Sequence, residues 1–384
     1  MPRIYLDHNA TSPLHPKVLD AMLPWLTEKW GNASSREHAY GWDAAEAVED
    51  ARENIADWIG AGPHEIFFTS GTTESIYLAI GGFLSAHDAE KRGVITSRVE
   101  HAAVKAVCAE YAQKGCPVEA MPVDSSGQID VGILEDLIQN RMPSLVALMT
   151  ANNETGVLFP IREAAQICRR LAIPLFTDAA QAVGKIPFDV DDLGIDMAAF
   201  SAHKMQGPKG IGALYLRGGR EGKLGMQPMM RGGGQEKGLR GGTLNVPAIV
   251  GFAEACKLAK AQSPERVRKT MRLRDALEQG LRQCHPEIKV VGDAVHRLPN
   301  TSNLCFTGSD ARTLIRDVHD IAVSTRSACS SESDLRSPVL SAMGWSDEES
   351  AACIRFSTGP ENTEAEIDEA IEKFGGAYAK HRWD

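Results

Sequence analysis

The chain has 384 residues, 43% apolar and 24% charged, with a net charge of −10, which fits a soluble globular protein with room for two domains. A balance of 41 Lys and Arg against 51 Asp and Glu argues against a nucleic-acid surface and against an anionic membrane as partner. No window approaches the roughly 18 apolar residues of a membrane span. The N-terminal MPRIYLDHNATSP lacks the basic start and apolar run of a signal peptide. The eight cysteines include no C-x-x-C pair, so neither a zinc ribbon nor a disulfide framework is indicated. A reduced, cytoplasmic protein is the expectation.

Along the chain, Ala44, Val48, Ala51, Ile55 and Ile59 recur at helical spacing. EIFFTS (65–70) and GVITS (93–97) read as strands, and EHAAVKAVCAEYAQKG as a helix stopping at Gly115. SLVALMT (144–150), IPLFTD (173–178), DMAAFS (196–201) and GIGALYL (210–216) complete the strand candidates. Strands alternating with helices predict a mostly parallel α/β sheet covered on both faces. MMRGGGQEKGLRGGT (229–243) reads as a Gly-rich loop. From about residue 260 a charged helix, the strand-like EIKVVG and TSNLCF, and a closing helix over EAEIDEAIEKFGGAYAKH predict a smaller α+β domain.

Ligands of such folds lie at the carboxyl ends of the strands, and the polar motifs cluster there. In TSGTTES, Thr72 and Thr73 open a helix after a strand, which is either a Ser/Thr cap or a phosphate site. Asp178 ends a buried strand and is either a cap or the partner of a buried cation such as a pyridinium nitrogen. Lys204 follows Ser201 and His203 just past a strand. It is either a solvated loop lysine or a desolvated amine suited to a Schiff base, with Ser201 and His203 holding a phosphate beside it. His101 opens a helix, as a cap or as a ring stacked on a flat cofactor. Arg355, on a strand of the small domain, is either in a structural ion pair or grips a carboxylate. Asp and Lys on neighbouring strand ends, with a phosphate cradle, are what pyridoxal 5'-phosphate requires. Cys329, in STRSACSSES, lies on a Ser-rich polar stretch unlike the buried surroundings usual for a structural thiol.

YLDHNATSP, TSGTTES, EH, NNETG, DAAQAVGK, SAHKMQGPKGIGALY, GGGQEKGLRGGT, SACSS and IRFSTG occur in the order found in cysteine desulfurases. The chain resembles these NifS/IscS-like members of the class V aminotransferase family from residue 4 to about 370. The resemblance implies a fold-type I pyridoxal-phosphate enzyme with a seven-stranded, mostly parallel large-domain sheet and a smaller α+β domain. Its divisions would be an N-terminal arm (1–15) packing with the small domain, a cofactor domain (16–258) and a small domain (259–384) carrying the Cys loop. It implies a homodimer that takes sulfur from L-cysteine, leaves L-alanine, and passes the sulfur as a persulfide to an acceptor such as an iron–sulfur scaffold.

By the same resemblance, Lys204 binds the cofactor, Asp178 its pyridine nitrogen, and His101 stacks on the ring. Asn152 and Gln181 face its phenolic oxygen or the substrate. Thr72, Thr73, Ser201 and His203 hold the phosphate with Thr243 of the partner chain. Arg355 takes the substrate carboxylate, and Cys329 accepts the sulfur. No metal is implied at the cofactor site, although Cys329 is able to ligate a transferred iron–sulfur cluster. A polar, solvated loop suits a thiol that must reach the substrate and then an acceptor. Two departures stand out: Arg326 replaces a Gly common before the thiol, where a cation favours thiolate, and AKHRWD ends the chain where housekeeping members carry a longer tail. The second leans toward the NifS-like branch that supplies nitrogenase. The rivals are a selenocysteine lyase or another class V enzyme, and a non-catalytic sulfur-transfer scaffold; an aminotransferase has no use for Cys329, and a scaffold has no need of Lys204, Asp178 and Cys329 together.

Overall fold

The computed structural model describes residues 3–87, 93–325 and 337–383. Strands are numbered in chain order: β1 (Ile4–Tyr5), β2 (Ile66–Thr69), β3 (Val94–Ser97), β4 (Val118–Met121), β5 (Leu145–Met149), β6 (Leu175–Asp178), β7 (Met197–Ser201), β8 (Gly212–Leu216), β9 (Lys289–Val290), β10 (Thr301–Cys305), β11 (Ile321–Ala322) and β12 (Cys353–Ser357). Seven form one sheet in the order β2-β8-β7-β6-β5-β3-β4. Only β8 runs against its neighbours β2 and β7; the pairs from β7 to β4 are parallel. This is the mostly parallel seven-stranded sheet expected of the fold class.

Residues of β5, β6, β7 and β8 are buried throughout, because helices cover both faces and no strand needs a polar side. One face packs against the helix Ala39–Ile59, whose Ala44, Val48, Ala51, Ile55 and Ile59 join the largest core cluster. The helix Ala102–Gln113 covers the other face through Val104, Val107 and Cys108. β4 was not among the sequence candidates. It is a half-buried edge strand, VEAM, without an apolar run to announce it.

A second sheet, β12-β10-β9, is antiparallel and shares a third cluster with the helix Glu364–His381. Ile4 and Leu6 of the N-terminal arm belong to that cluster, and β1 pairs with β11 in parallel. The expected division at 258/259 falls inside one 39-residue helix, Val246–Cys284. Its first half places Ile249, Phe252 and Cys256 in the large core, and its second half places Leu273, Leu277 and Leu281 in the small one. The two packing units are thus joined by continuous helix rather than by a linker.

The Gly-rich loop is anchored in its own subunit. Glu236 is buried there and accepts two bonds from Arg52, at 2.8 and 3.0 Å, and one from the Phe68 amide at 2.7 Å. A buried carboxylate is tolerated because all three donors converge on it.

Candidate active site

A cavity of about 450 Å³ opens at the carboxyl ends of the parallel strands, within the size range of cofactor pockets. Lys204, Asp178, His101, Thr72, Thr73, Gln181, His203 and Arg355 line it together. Five motifs far apart in the sequence therefore converge on one space, as the strand-end placement requires.

Lys204 ends the single 3-10 turn Ala202–Lys204 that follows β7. Its Nζ donates to the Asn9 and Ala10 carbonyls at 2.5 and 2.8 Å. The arm wraps this turn further: the Ser12 amide and hydroxyl both donate to the His203 carbonyl, and His203 Nδ1 lies 3.1 Å from the Thr11 hydroxyl. Burial and the nearby lysines Lys204, Lys209 and Lys185 hold His203 down at about 4, so its ring is neutral.

Asp178 closes β6 and accepts from the Ala180 amide at 2.9 Å. Burial pushes its carboxyl up, against the pull of His101 and Lys204. A cation placed on it, such as a pyridinium N–H, reverses that penalty. His101 caps its helix, Nδ1 accepting from the Ala103 amide at 3.2 Å, and the residue also lines the cavity. Burial lowers its pKa, Lys204 and Lys105 add to this, and Asp178 opposes. Glu100 beside it is buried and pushed up to about 8 by desolvation. It ties the ends of β3 and β5 by accepting from Ser97 and from the Met149 amide.

The Thr block lacks the side-chain cap that was the alternative to a phosphate site. Thr72 Oγ1 is instead buried without a hydrogen-bond partner, and the same holds for Ser201 Oγ. A Cβ built on Gly71 meets no heavy atom within 4 Å. The orphaned Thr72 hydroxyl at the head of a helix, beside open backbone, fits a phosphate that accepts from it, with Ser201 Oγ at the end of β7 a second orphaned donor. Ser201 is not itself on the cavity wall, and Thr243 is exposed and away from the cavity of its own chain.

Asn152 does not reach the cavity. Its Oδ1 accepts from the amides of Glu154 and Thr155 and its Nδ2 donates to the Val99 carbonyl at 3.1 Å, so the side chain is consumed in holding the NNETG turn. Asn153 lines the wall in its place. A pair of adjacent asparagines gives no period from which to tell which one faces inward.

Arg355 is 1% exposed on β12. It donates to the Asn153 carbonyl at 2.8 Å and to Asp7 Oδ1 at 2.6 Å, while Nε–H has no partner. That unsatisfied donor suits a substrate carboxylate. Cys329 and Arg326 lie outside the described residues. The chain flanking them does not: Ser324 and Arg355 exchange backbone bonds at 3.2 and 2.7 Å, and Ser337 Oγ donates to Glu154 Oε2 at 2.6 Å.

Two residues escaped the sequence reading. Asn9 ties Lys204 and Gln181 to the small domain. Its carbonyl accepts from Gln181 and Lys204, its Oδ1 from Lys185 and Asn300, and its Nδ2 donates to Thr301. Lys185 is half-buried, bonded to Asn9 Oδ1 at 2.7 Å and to Gln181 Oε1. Burial first, then Lys204 and Arg355, drive its pKa well below the usual value. Both residues stand inside motifs quoted above, DHNATSP and DAAQAVGK, but nothing local distinguishes them as site residues.

The family model for class-V aminotransferases matches residues 4–370. A human cysteine desulfurase is 42% identical over 370 residues, covering 96% of this chain and 80% of that protein. The cysteine desulfurase IscS of Anaeromyxobacter dehalogenans is 42% identical over 379 residues, covering 99% and 93%. Among solved structures, a NifS-like protein superposes with a TM-score of 0.91 at 35% identity, over 98% of this chain and 100% of that one. A structure described as SspA in complex with cysteine gives a TM-score of 0.80 at 35% identity, over 94% and 100%. The chain belongs to the class V aminotransferase family and, within it, to the cysteine desulfurases. Among the described residues no helix is long and apolar enough to cross a membrane.

Proposed function

We propose that the cavity binds pyridoxal 5'-phosphate on Lys204 and that the chain moves sulfur from L-cysteine onto Cys329. One observation carries the reading: Lys204, Asp178, His101 and Arg355 line a single cavity. The cofactor, when bound, supplies an electron sink that acidifies the substrate α-carbon and weakens the bond to sulfur.

The chain's own residues divide the remaining work. Lys204 Nζ provides the amine that holds the cofactor aldehyde and moves the α-proton. Asp178 pairs with the ring nitrogen. Thr72, Thr73, Ser201 and His203 receive the phosphate with Thr243 of a second copy, so the active species is a homodimer. Gln181, fixed by Asn9 and Lys185, faces the ring oxygen or the substrate together with Asn153. His101, neutral and capped in place, lies against the ring and takes or returns a proton. Arg355 orients the substrate through its carboxylate.

The acceptor thiolate attacks the substrate sulfur; the new S–S bond forms as the C–S bond breaks, and the carbon takes a proton. Cysteine plus enzyme thiol thus gives alanine plus enzyme persulfide, with no external oxidant. Cys329 is five residues from Ser324, whose backbone bonds to Arg355. That covalent distance limits Cys329 to within roughly 18 Å of Ser324, at most about 3.6 Å per residue. The persulfide is then passed to an acceptor protein, as for iron–sulfur cluster assembly.

Brief exposure to cysteine followed by peptide mass spectrometry should find one extra sulfur on the peptide containing Cys329. Cys329→Ser should still retain the cofactor yet release almost no alanine, because a serine hydroxyl at neutral pH is a far poorer nucleophile. Extra sulfur on another cysteine, or near-normal turnover by the Ser variant, overturns the assignment.

A further inference from the structure

The small sheet carries two thiols that the chemistry above does not use. Cys305 ends β10 and Cys353 begins β12, and the antiparallel register sets them directly opposite one another. The next pair along is joined by a bond from the Phe306 amide to the Ala352 carbonyl at 3.0 Å. Pairs alternate along such a ladder, so Cys305 and Cys353 occupy the non-hydrogen-bonded kind, where Cα atoms come to about 4.5 Å and side chains are closest. A disulfide spans Cα separations of about 4.4 to 6.8 Å. The two sulfurs also converge on one acceptor, the Glu349 carbonyl, at 3.5 and 3.1 Å.

Both residues are buried, and two apolar side chains would fill this space without the redox liability. Each thiol acts on the other, which holds Cys305 below its usual value and raises Cys353. The first thiolate of the pair therefore forms more readily than the second. Glu349, whose carbonyl both sulfurs meet, belongs to a single five-residue turn, Asp347–Ala351, and local opening of so short an element admits a water-sized molecule.

We propose that Cys305 and Cys353 are a peroxide-sensitive dithiol that closes to a cross-strand disulfide and staples the strand bearing Arg355 to its neighbour. One thiolate attacks a peroxide oxygen; the O–O bond breaks, leaving a sulfenic acid and, after protonation, a first water. The second sulfur attacks the first, the S–S bond forms as the S–O bond breaks, and a second water leaves. The sulfurs lose two electrons and the peroxide gains two, and a dithiol reductant reverses the change. The strands are already in register, so closure needs no slip of β12. The bond closes the base of residues 306–352, the segment that contains Cys329.

The test uses the full-length holoenzyme carrying Cys329→Ser, which removes a competing thiol. Hydrogen peroxide is added, free thiols are alkylated, and peptides are mapped without reduction. The expected result is a mass loss of 2 Da, a linked pair of peptides bearing Cys305 and Cys353, and a rise of several degrees in the unfolding midpoint, all reversed by dithiothreitol. Adding Cys353→Ala should abolish the link and the rise. Recovery of both cysteines as alkylated free thiols, their appearance only as sulfinic acids, or a link formed instead between Cys108 and Cys116 overturns the proposal. The mapping on the intact pair decides the matter even if the Ala variant folds poorly.

Discussion

Replacing Arg355 with Ala separates substrate capture from cofactor binding. The guanidinium is 1% exposed and already donates to Asp7 and to the Asn153 carbonyl, so it is fixed in place before substrate arrives. A charged hydrogen bond is worth about 1.5–3 kcal/mol, and a carboxylate gripped by two of them loses roughly 3–4 kcal/mol allowing for partial compensation by the solvent that enters. At about 1.4 kcal/mol per tenfold, KM for cysteine should rise roughly 100- to 1,000-fold. Arg355→Lys restores a point charge without the fork and should recover about tenfold of that loss. Initial rates of alanine formation across cysteine concentrations give KM, and the absorbance of bound cofactor, which should not change, checks that the site is otherwise intact. A KM within threefold of the parent would place the carboxylate site elsewhere.

Arg52→Ala leaves Glu236 buried without its cation and should cost about 3–5 kcal/mol of unfolding free energy, read by denaturant titration; an unchanged midpoint would mean that the Gly-rich loop is held by other contacts. His8 gives a pH signature. It is 4% exposed, and burial, helped by Lys185, holds its pKa at about 4 against the ordinary 6.5. The unfolded chain therefore binds the proton first, and stability falls as pH drops from 6.5 toward 4, by about 3 kcal/mol if the full shift is expressed. The melting midpoint of the parent should decline across that window, and His8→Asn should flatten the decline; an equal slope in both would assign the effect to other groups.

Much of this architecture is legible in the sequence because buried parallel strands are continuous apolar runs. Six of the seven large-sheet strands announce themselves in that way, and polar motifs mark their ends. β4 does not, since an edge strand with one half-covered face carries no such run. The 258/259 division reflects a real change of composition, but the helix Val246–Cys284 continues through it because each half finds its own core. Local reading also fails at Asn152 and Asn153. Which of two equivalent side chains turns inward depends on the Val99 carbonyl, contributed by a strand end 53 residues away. Asn9 and Lys185 were hidden for the same reason: their importance lies in bonds across 172 to 291 positions and not in their neighbours.

Lys204 is the proposed anchor of the cofactor, and beside it a second half-buried lysine, Lys185, is tied to Asn9 and to Gln181 within the same network. Borohydride reduction of the protein loaded with pyridoxal 5'-phosphate, followed by peptide mapping, distinguishes them. The geometry predicts one pyridoxyl group per chain, on Lys204. Label on Lys185, or spread over surface lysines, would contradict it.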